Sequence, residues 1–208
     1  MTDAPRFRIG VLISGQGANL QALIDAVHSG RLQARIECVI ADRQAYGLQR
    51  AAEAGIPSFQ FKRDEHLSEN IHRILAGRVD LIVLAGFLSI LSADFCKKWP
   101  SKIINLHPAL LPQYGGRGFY GKRVHRTVIE NGEKESGASV HYVTAGVDEG
   151  KIIAQQRLRL SPGETPDSLQ QKIQRIEHAL LVGTVQKIIA EKRSSTASQR
   201  QAYPTKKR

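Results

Sequence analysis

A chain of 208 residues with 41% hydrophobic and 24% charged side chains has the composition of one soluble globular domain with a substantial core. The net charge of +11 points to anionic partners, while no apolar run approaches the roughly 18–20 residues of a membrane span and MTDAPRFRIG has no signal-peptide core. Cys38 and Cys96 lie far apart without metal or redox spacing, which reads as two reduced packing residues and, by default, a cytoplasmic location.

RIGVLIS (8–14) reads as a strand from its β-branched content. NLQALIDAVHSG (19–30) then places Leu20, Leu23, Ile24 and Val27 at helical spacing and stops at Gly30. The strands IECVIA (36–41) and SFQF (58–61) follow, alternating with helices YGLQRAAEAG (46–55) and LSENIHRILAG (67–77). DLIVLAG (80–86) is continuously apolar, which suits a strand covered on both faces, and KIINLH (102–107) is the next strand. This alternation predicts an α/β, Rossmann-like fold: a mostly parallel twisted sheet with helices on both faces.

After residue 112 the rhythm changes. QYGGRGFYGKR (113–123) is a glycine-rich, aromatic loop, and VHRTVIEN (124–131) a short helix. GASVHYV (137–143) and KIIAQQRLRL (151–160) are strands with VDEG (147–150) between them. A long helix is expected from Thr165 to about Ile189, with Leu169, Ile173, Ile176 and Leu180 on one face. No repeat or linker divides the chain, so residues 1–190 form a single domain. Residues 191–208 hold six basic side chains against one acid among Ser, Thr and Gln, and read as a disordered basic tail. Of the net charge the tail carries +5 and the body only +6, which does not indicate a specific nucleic-acid partner.

Three stretches carry chemistry. SGQGAN (14–19) joins the first strand to the first helix, where free N–H groups and the helix dipole favour an anion and Gly15 and Gly17 let it approach the backbone. No Gly-Lys-Ser/Thr follows and Leu20 replaces the third glycine of a dinucleotide fingerprint, so a monophosphate fits best; the plain alternative is a tight turn capped by Asn19. In INLHPALLP (104–112), Asn105 and His107 project from the same face at the carboxyl end of a strand, which Pro108 terminates. Histidine shuttles protons at neutral pH and an asparagine amide donates to an oxyanion, so the pair suggests addition to a carbonyl. VDEG offers Asp148 or Glu149 as the carboxylate beside His107, and spacing alone does not choose between them. His125, His141 and His178 show no metal-ligand spacing, and no metal site is expected.

ISGQGANLQALIDA, VLAGFLSIL, INLHPALLP, GASVHYVTAGVDEGKIIAQ and IEHALL together resemble the phosphoribosylglycinamide formyltransferases, from about residue 8 to about residue 190. The resemblance implies transfer of a formyl group from the co-substrate 10-formyltetrahydrofolate to the amine of 5-phosphoribosylglycinamide, in purine synthesis. It implies catalytic Asn105, His107 and Asp148, with Asp148 keeping His107 cationic to meet the oxyanion. Gly17, Ala18, Asn19 and Glu177 would bind the ribonucleotide. Arg63, Leu88, Ser89, Ile90, Leu91 and Asn105 would contact the folate. It further implies small-molecule partners, no membrane, and a monomer or homodimer. Ala18 stands where this family often has serine, and Ser89 where it often has arginine. Methionyl-tRNA formyltransferases share INLHPALLP but add a C-terminal domain, and formyltetrahydrofolate deformylases add an N-terminal one; neither is expected here. A non-catalytic sugar-phosphate-binding module would keep SGQGAN without needing Asn105, His107 and Asp148.

Overall fold

A computed structural model describes residues 6–202, with side chains described through residue 194. Seven strands form one sheet: β1 (Phe7–Ile13), β2 (Ala34–Ala41), β3 (Ser58–Gln60), β4 (Leu81–Leu84), β5 (Ile103–His107), β6 (Glu135–Tyr142) and β7 (Ile152–Arg159). Their spatial order is β3-β2-β1-β4-β5-β6-β7, and the first five are parallel. The last two run antiparallel to their neighbours, so the sheet is mixed at one edge. Six helices accompany it: α1 (Ala18–His28), α2 (Tyr46–Glu53), α3 (Leu67–Leu75), α4 (Ala93–Lys98), α5 (Lys122–Glu130) and α6 (Pro166–Ala202).

Alternation along the central strands builds two cores. Ile9, Val11 and Ile13 of β1 face Leu20, Leu23 and the inner stripe of α6, including Leu169 and Ile173. Leu12 faces the other way, onto Ile71 and Leu75 of α3 and Phe95 beside Trp99. All four side chains of β4 are buried, as a strand covered on both faces requires. The chain builds outward from β1 to β2 and β3, then returns to lay β4 on the other side of β1. That reversal opens a crevice at the carboxyl ends of β1 and β4, the usual ligand position in open α/β sheets.

Two elements differ from expectation. Helix α4 escaped the sequence reading because it has only six residues, too few for an apolar period; its signal was Ser92, whose Oγ accepts the Phe95 N–H at 3.2 Å as a helix cap. Helix α6 passes its expected end near Ile189 and continues to Ala202, so residues 191–202 are helical backbone rather than disordered. AEKRSSTASQRQA contains no glycine or proline, and nothing in it stops a helix already anchored by its buried stripe. Residues 203–208 of the expected tail lie outside the described residues. Among the described residues, no helix is long and apolar enough to cross a membrane.

Candidate active site

A cavity of about 480 Å³ opens at the carboxyl edge of the sheet, walled by the segment after β4, the end of β5, the loops after β5 and β6, and one face of α6. Its polar centre is made by strand register. Asn105 and His107 project from β5 on one face, and antiparallel pairing sets Asn105 opposite His141 of β6. The Asn105 Nδ2 amide lies 3.1 Å from His141 Nε2 and 3.4 Å from Asp148 Oδ1. His107 Nδ1 is 3.5 Å from Asp148 Oδ2, and His141 Nε2 is 3.4 Å from Asp148 Oδ1. One carboxylate therefore faces two imidazoles and an amide.

The backbone fixes how each ring presents itself. His107 Nε2 lies 2.7 Å from the Tyr114 carbonyl, which can only accept, so this nitrogen carries the hydrogen. His141 Nδ1 likewise donates to the Tyr142 carbonyl at 2.9 Å, leaving Nε2 to accept from Asn105. The Gly116 N–H donates to Asp148 Oδ2 at 3.0 Å, so the glycine-rich loop after β5 supplies main-chain groups on both sides of the His107–Asp148 pair. Asp148 sits at φ +59°, a left-handed conformation that aspartate tolerates better than most residues. Gly150 permits the turn to press onto β6, because a Cβ there would stand 1.7 Å from the Tyr142 carbonyl oxygen. Glu149 is exposed with its carboxylate against Gly146, and of the two carboxylates it is Asp148 that faces the histidine.

Electrostatics correct one expectation. Burial pushes His107 below its ordinary pKa and outweighs the Asp148 carboxylate and the Tyr114 carbonyl, which favour imidazolium. His107 therefore favours the neutral form near pH 7 rather than being held cationic. Burial also pushes Asp148 up, but the facing imidazoles of His141 and His107 and the Gly116 N–H prevail and hold it below the usual carboxylate range. His125 is only 3% exposed and also lines the cavity; burial, with a smaller contribution from His107, pushes it down to about 4.

The turn before α1 is closely packed. Gly17 caps α1 at φ +71°, and a Cβ added there would meet the Gly47 Cα at 2.7 Å. Glycine is thus demanded at this turn by backbone conformation and by the close approach of α2. Gly15 has nothing within 4 Å of an added Cβ, while the Gly47 N–H and the Arg50 Nε bond the Gly15 and Gln16 carbonyls at 3.1 and 2.8 Å. Asn19 is not the cap. Its Nδ2 donates to Glu177 Oε2 at 3.3 Å, and burial pushes Glu177 above the usual carboxylate range although Asn19 opposes the shift. Asn19 and Glu177 line the main cavity; Ala18 faces a second crevice between α1 and α6, with Arg31, Arg50 and Arg175.

Leu88, Ser89, Ile90 and Leu91 form an apolar wall of the main cavity with Leu84, Phe87 and Val143. Arg63 stands outside those walls, its Nε 2.7 Å from Asp42 Oδ2. His141 is the site residue the sequence reading passed over. Its signal was a histidine two residues after Ser139 in an otherwise apolar strand, but only cross-strand register reveals the partner. Among the described residues, no group of three or more His, Cys, Asp or Glu is arranged to hold a metal ion.

The sequence profile of the Formyl transferase family matches residues 7–185. A phosphoribosylglycinamide formyltransferase of Haemophilus influenzae is 40% identical over 181 residues, 83% of this chain and 82% of that protein. The trifunctional purine biosynthetic protein adenosine-3 of Drosophila melanogaster is 43% identical over 86% of this chain, which spans only 14% of that protein's length. A solved phosphoribosylglycinamide formyltransferase of Coxiella burnetii superposes with a TM-score of 0.82 at 36% identity, covering 90% of this chain and 89% of that one.

Proposed function

The chain belongs to the formyl transferase family, and we propose that it transfers the formyl group of 10-formyltetrahydrofolate to the amine of 5-phosphoribosylglycinamide in purine biosynthesis. One observation carries this reading: Asn105, His107, His141 and Asp148 converge on the wall of a cavity that has an apolar side and a polar side. The apolar side, from Phe87 to Leu91, suits a flat heterocycle such as the folate pterin. The polar side, with Asn19, Gln174 and Glu177 near the start of α1, suits a ribosyl phosphate.

The mechanism starts from an ionised Asp148 and a neutral His107. Attack of the glycinamide amine on the formyl carbon leaves negative charge on the formyl oxygen. That charge raises the proton affinity of the neighbouring imidazole, so His107 takes the proton the amine gives up, and Asp148 holds the imidazolium so formed. Asn105 directs one of its two N–H groups to the oxyanion, giving up its bond to His141 or Asp148. His107 then delivers the proton to the folate nitrogen as its bond to the formyl carbon breaks. The oxyanion collapses to the new amide and the charges balance. Burial keeps His107 uncharged until the reaction creates the charge that needs it, so stabilisation is greatest in the transition state.

All of this chemistry uses side chains at the site, so the reading assigns no metal. It assigns catalysis to the domain of residues 1–190, no turnover role to 191–208, and small-molecule partners to a cytoplasmic monomer or homodimer. Mixing the protein with 10-formyltetrahydrofolate and 5-phosphoribosylglycinamide and following folate release tests it directly. Release that depends on the ribonucleotide is expected; release without it would make the protein a hydrolase, and no release would sink the reading.

A further inference from the structure

Asp42 follows the last residue of β2, and its side chain is fully buried. Burying a carboxylate costs several kcal/mol unless it is paired and hydrogen-bonded. Here Arg63 places Nη2 2.6 Å from Oδ2, Arg43 places Nε 3.2 Å from Oδ1, and the Ser89 hydroxyl donates to Oδ2 at 2.7 Å. The two arginines are 39–40% exposed and come from the loops after β2 and β3. Ser89 comes from the segment that walls the apolar side of the cavity.

That segment, residues 85–92, has neither helix nor strand, so its shape depends on tethers. Three are present. The Ser14 Oγ takes the Leu88 N–H at 2.8 Å near its start, Asp42 takes Ser89 in its middle, and the Ser68 Oγ takes the Ser92 N–H at 2.9 Å at its end. The Ser89 hydroxyl is drawn toward Asp42, and the side chains on either side of it remain exposed. Leu88 and Ile90 are 45% and 58% exposed and line the cavity. Apolar side chains standing so far out on an irregular segment do not hold themselves in place. Only the middle tether is ionic, and it alone fixes a side chain between the two.

We infer that Asp42 is a positioning residue for the formyl donor: through Ser89 it holds Leu88 and Ile90 in the orientation that forms the donor's apolar wall, while Arg63 and Arg43 hold its carboxylate in place. This rests on the assignment of that wall to the donor under Proposed function. Arg63 then serves the donor site indirectly, through Asp42. The inference also gives Ser89 a role of its own, as the hydroxyl that reaches the buried carboxylate.

The test is steady-state kinetics with each substrate varied, on Ser89→Ala, Ser89→Thr, Asp42→Asn and the Asp42→Asn/Ser89→Ala double variant, with thermal melting alongside. Ser89→Ala is expected to raise the donor KM about tenfold, comparable to losing one hydrogen bond to a charged group. The ribonucleotide KM and kcat should move less than about twofold, since neither the polar side nor the histidine cluster touches this tether. Ser89→Thr keeps the hydroxyl and should restore the donor KM. The double variant should be no worse than the more severe single, because both substitutions cut the same link. An unchanged donor KM in Ser89→Ala, an equal rise in both KM values, or multiplying effects in the double variant would each overturn the inference. Ser89→Ala deletes only a hydroxyl, so the test stands even if Asp42→Asn fails to fold. A wild-type protein that transfers no formyl group would instead overturn the assignment of the wall, and the inference with it.

Discussion

Two buried carboxylates sit at the same edge of the sheet and do different work because of what surrounds them. Asp42 is held by two guanidinium groups and a hydroxyl. Guanidinium groups do not lose protons under any ordinary condition, so this charge is neutralised permanently and its surroundings are fixed. Asp148 is faced by two imidazoles, an amide and a main-chain N–H. An imidazole can take up and give back a proton where a guanidinium cannot, so the balance around Asp148 can shift within a reaction. A carboxylate among arginines positions; a carboxylate among histidines moves protons.

The sharpest break of this comparison is Asp148→Asn set beside Asp42→Asn. Asp148→Asn keeps the shape but removes the charge that stabilises imidazolium, and single-turnover transfer at saturating ligands should fall about 10²–10⁴-fold. NMR should also show His107 titrating still lower, because the carboxylate is what opposes burial. Near-normal transfer, or an unmoved His107 titration, would falsify this role. Asp42→Asn should leave that rate nearly intact. Asn105→Ala comes next, with an expected loss on the order of 10²-fold in the same assay. A loss confined to KM would make Asn105 a binding group only.

His125 extends the comparison to a buried group with no fixed charge beside it, its Nδ1 having no partner. Its pKa of about 4 in the fold lies below the ordinary 6.5, so the unfolded chain binds the proton first as pH falls. Stability from this group is complete above pH 6.5 and is lost progressively down to about pH 4, by roughly 3 kcal/mol in all. Urea unfolding of His125→Gln should therefore show a shallower loss between pH 7 and 5 than wild type. An identical slope in both proteins would mean that His125 is not buried in the neutral form.

A smaller effect tests the turn before α1. Ala18→Asp adds a carboxylate in the first turn of α1, which suits the helix dipole but repels a phosphate at the same N-terminus. The ribonucleotide KM should rise about tenfold, as expected for like charges roughly 10 Å apart near a surface, with little change for the formyl donor. Equal changes for both substrates would remove the phosphate from this turn. The smallest effect expected is none. Truncation after Lys192 leaves the buried stripe of α6 through Ile189, and turnover should stay within about twofold. A folded, inactive truncate would contradict it.

Much of the fold was legible in the sequence because its signals are local. All seven strands and five of the six helices announced themselves by apolar period and by glycine stops, and DLIVLAG foretold a strand buried on both faces. Asn105 and His107 could be paired from the alternation of a single strand. His141 could not, since its place beside Asn105 depends on the register between β5 and β6, strands separated by a loop and a helix. Asp42 was invisible for the same reason: it is a single acid after a strand until Arg63 and Ser89 converge on it from other loops.

The sequence by itself determined the alternating architecture, the strand-end pair and the turn before α1, because periodicity, proline and glycine act within a few residues. Tertiary structure alone decided which carboxylate faces His107, that burial outweighs that carboxylate and keeps the ring neutral, and that α2 packs against Gly17 too closely for a Cβ. Those outcomes depend on desolvation and on contacts between segments far apart in the chain, and neither is encoded in any local stretch.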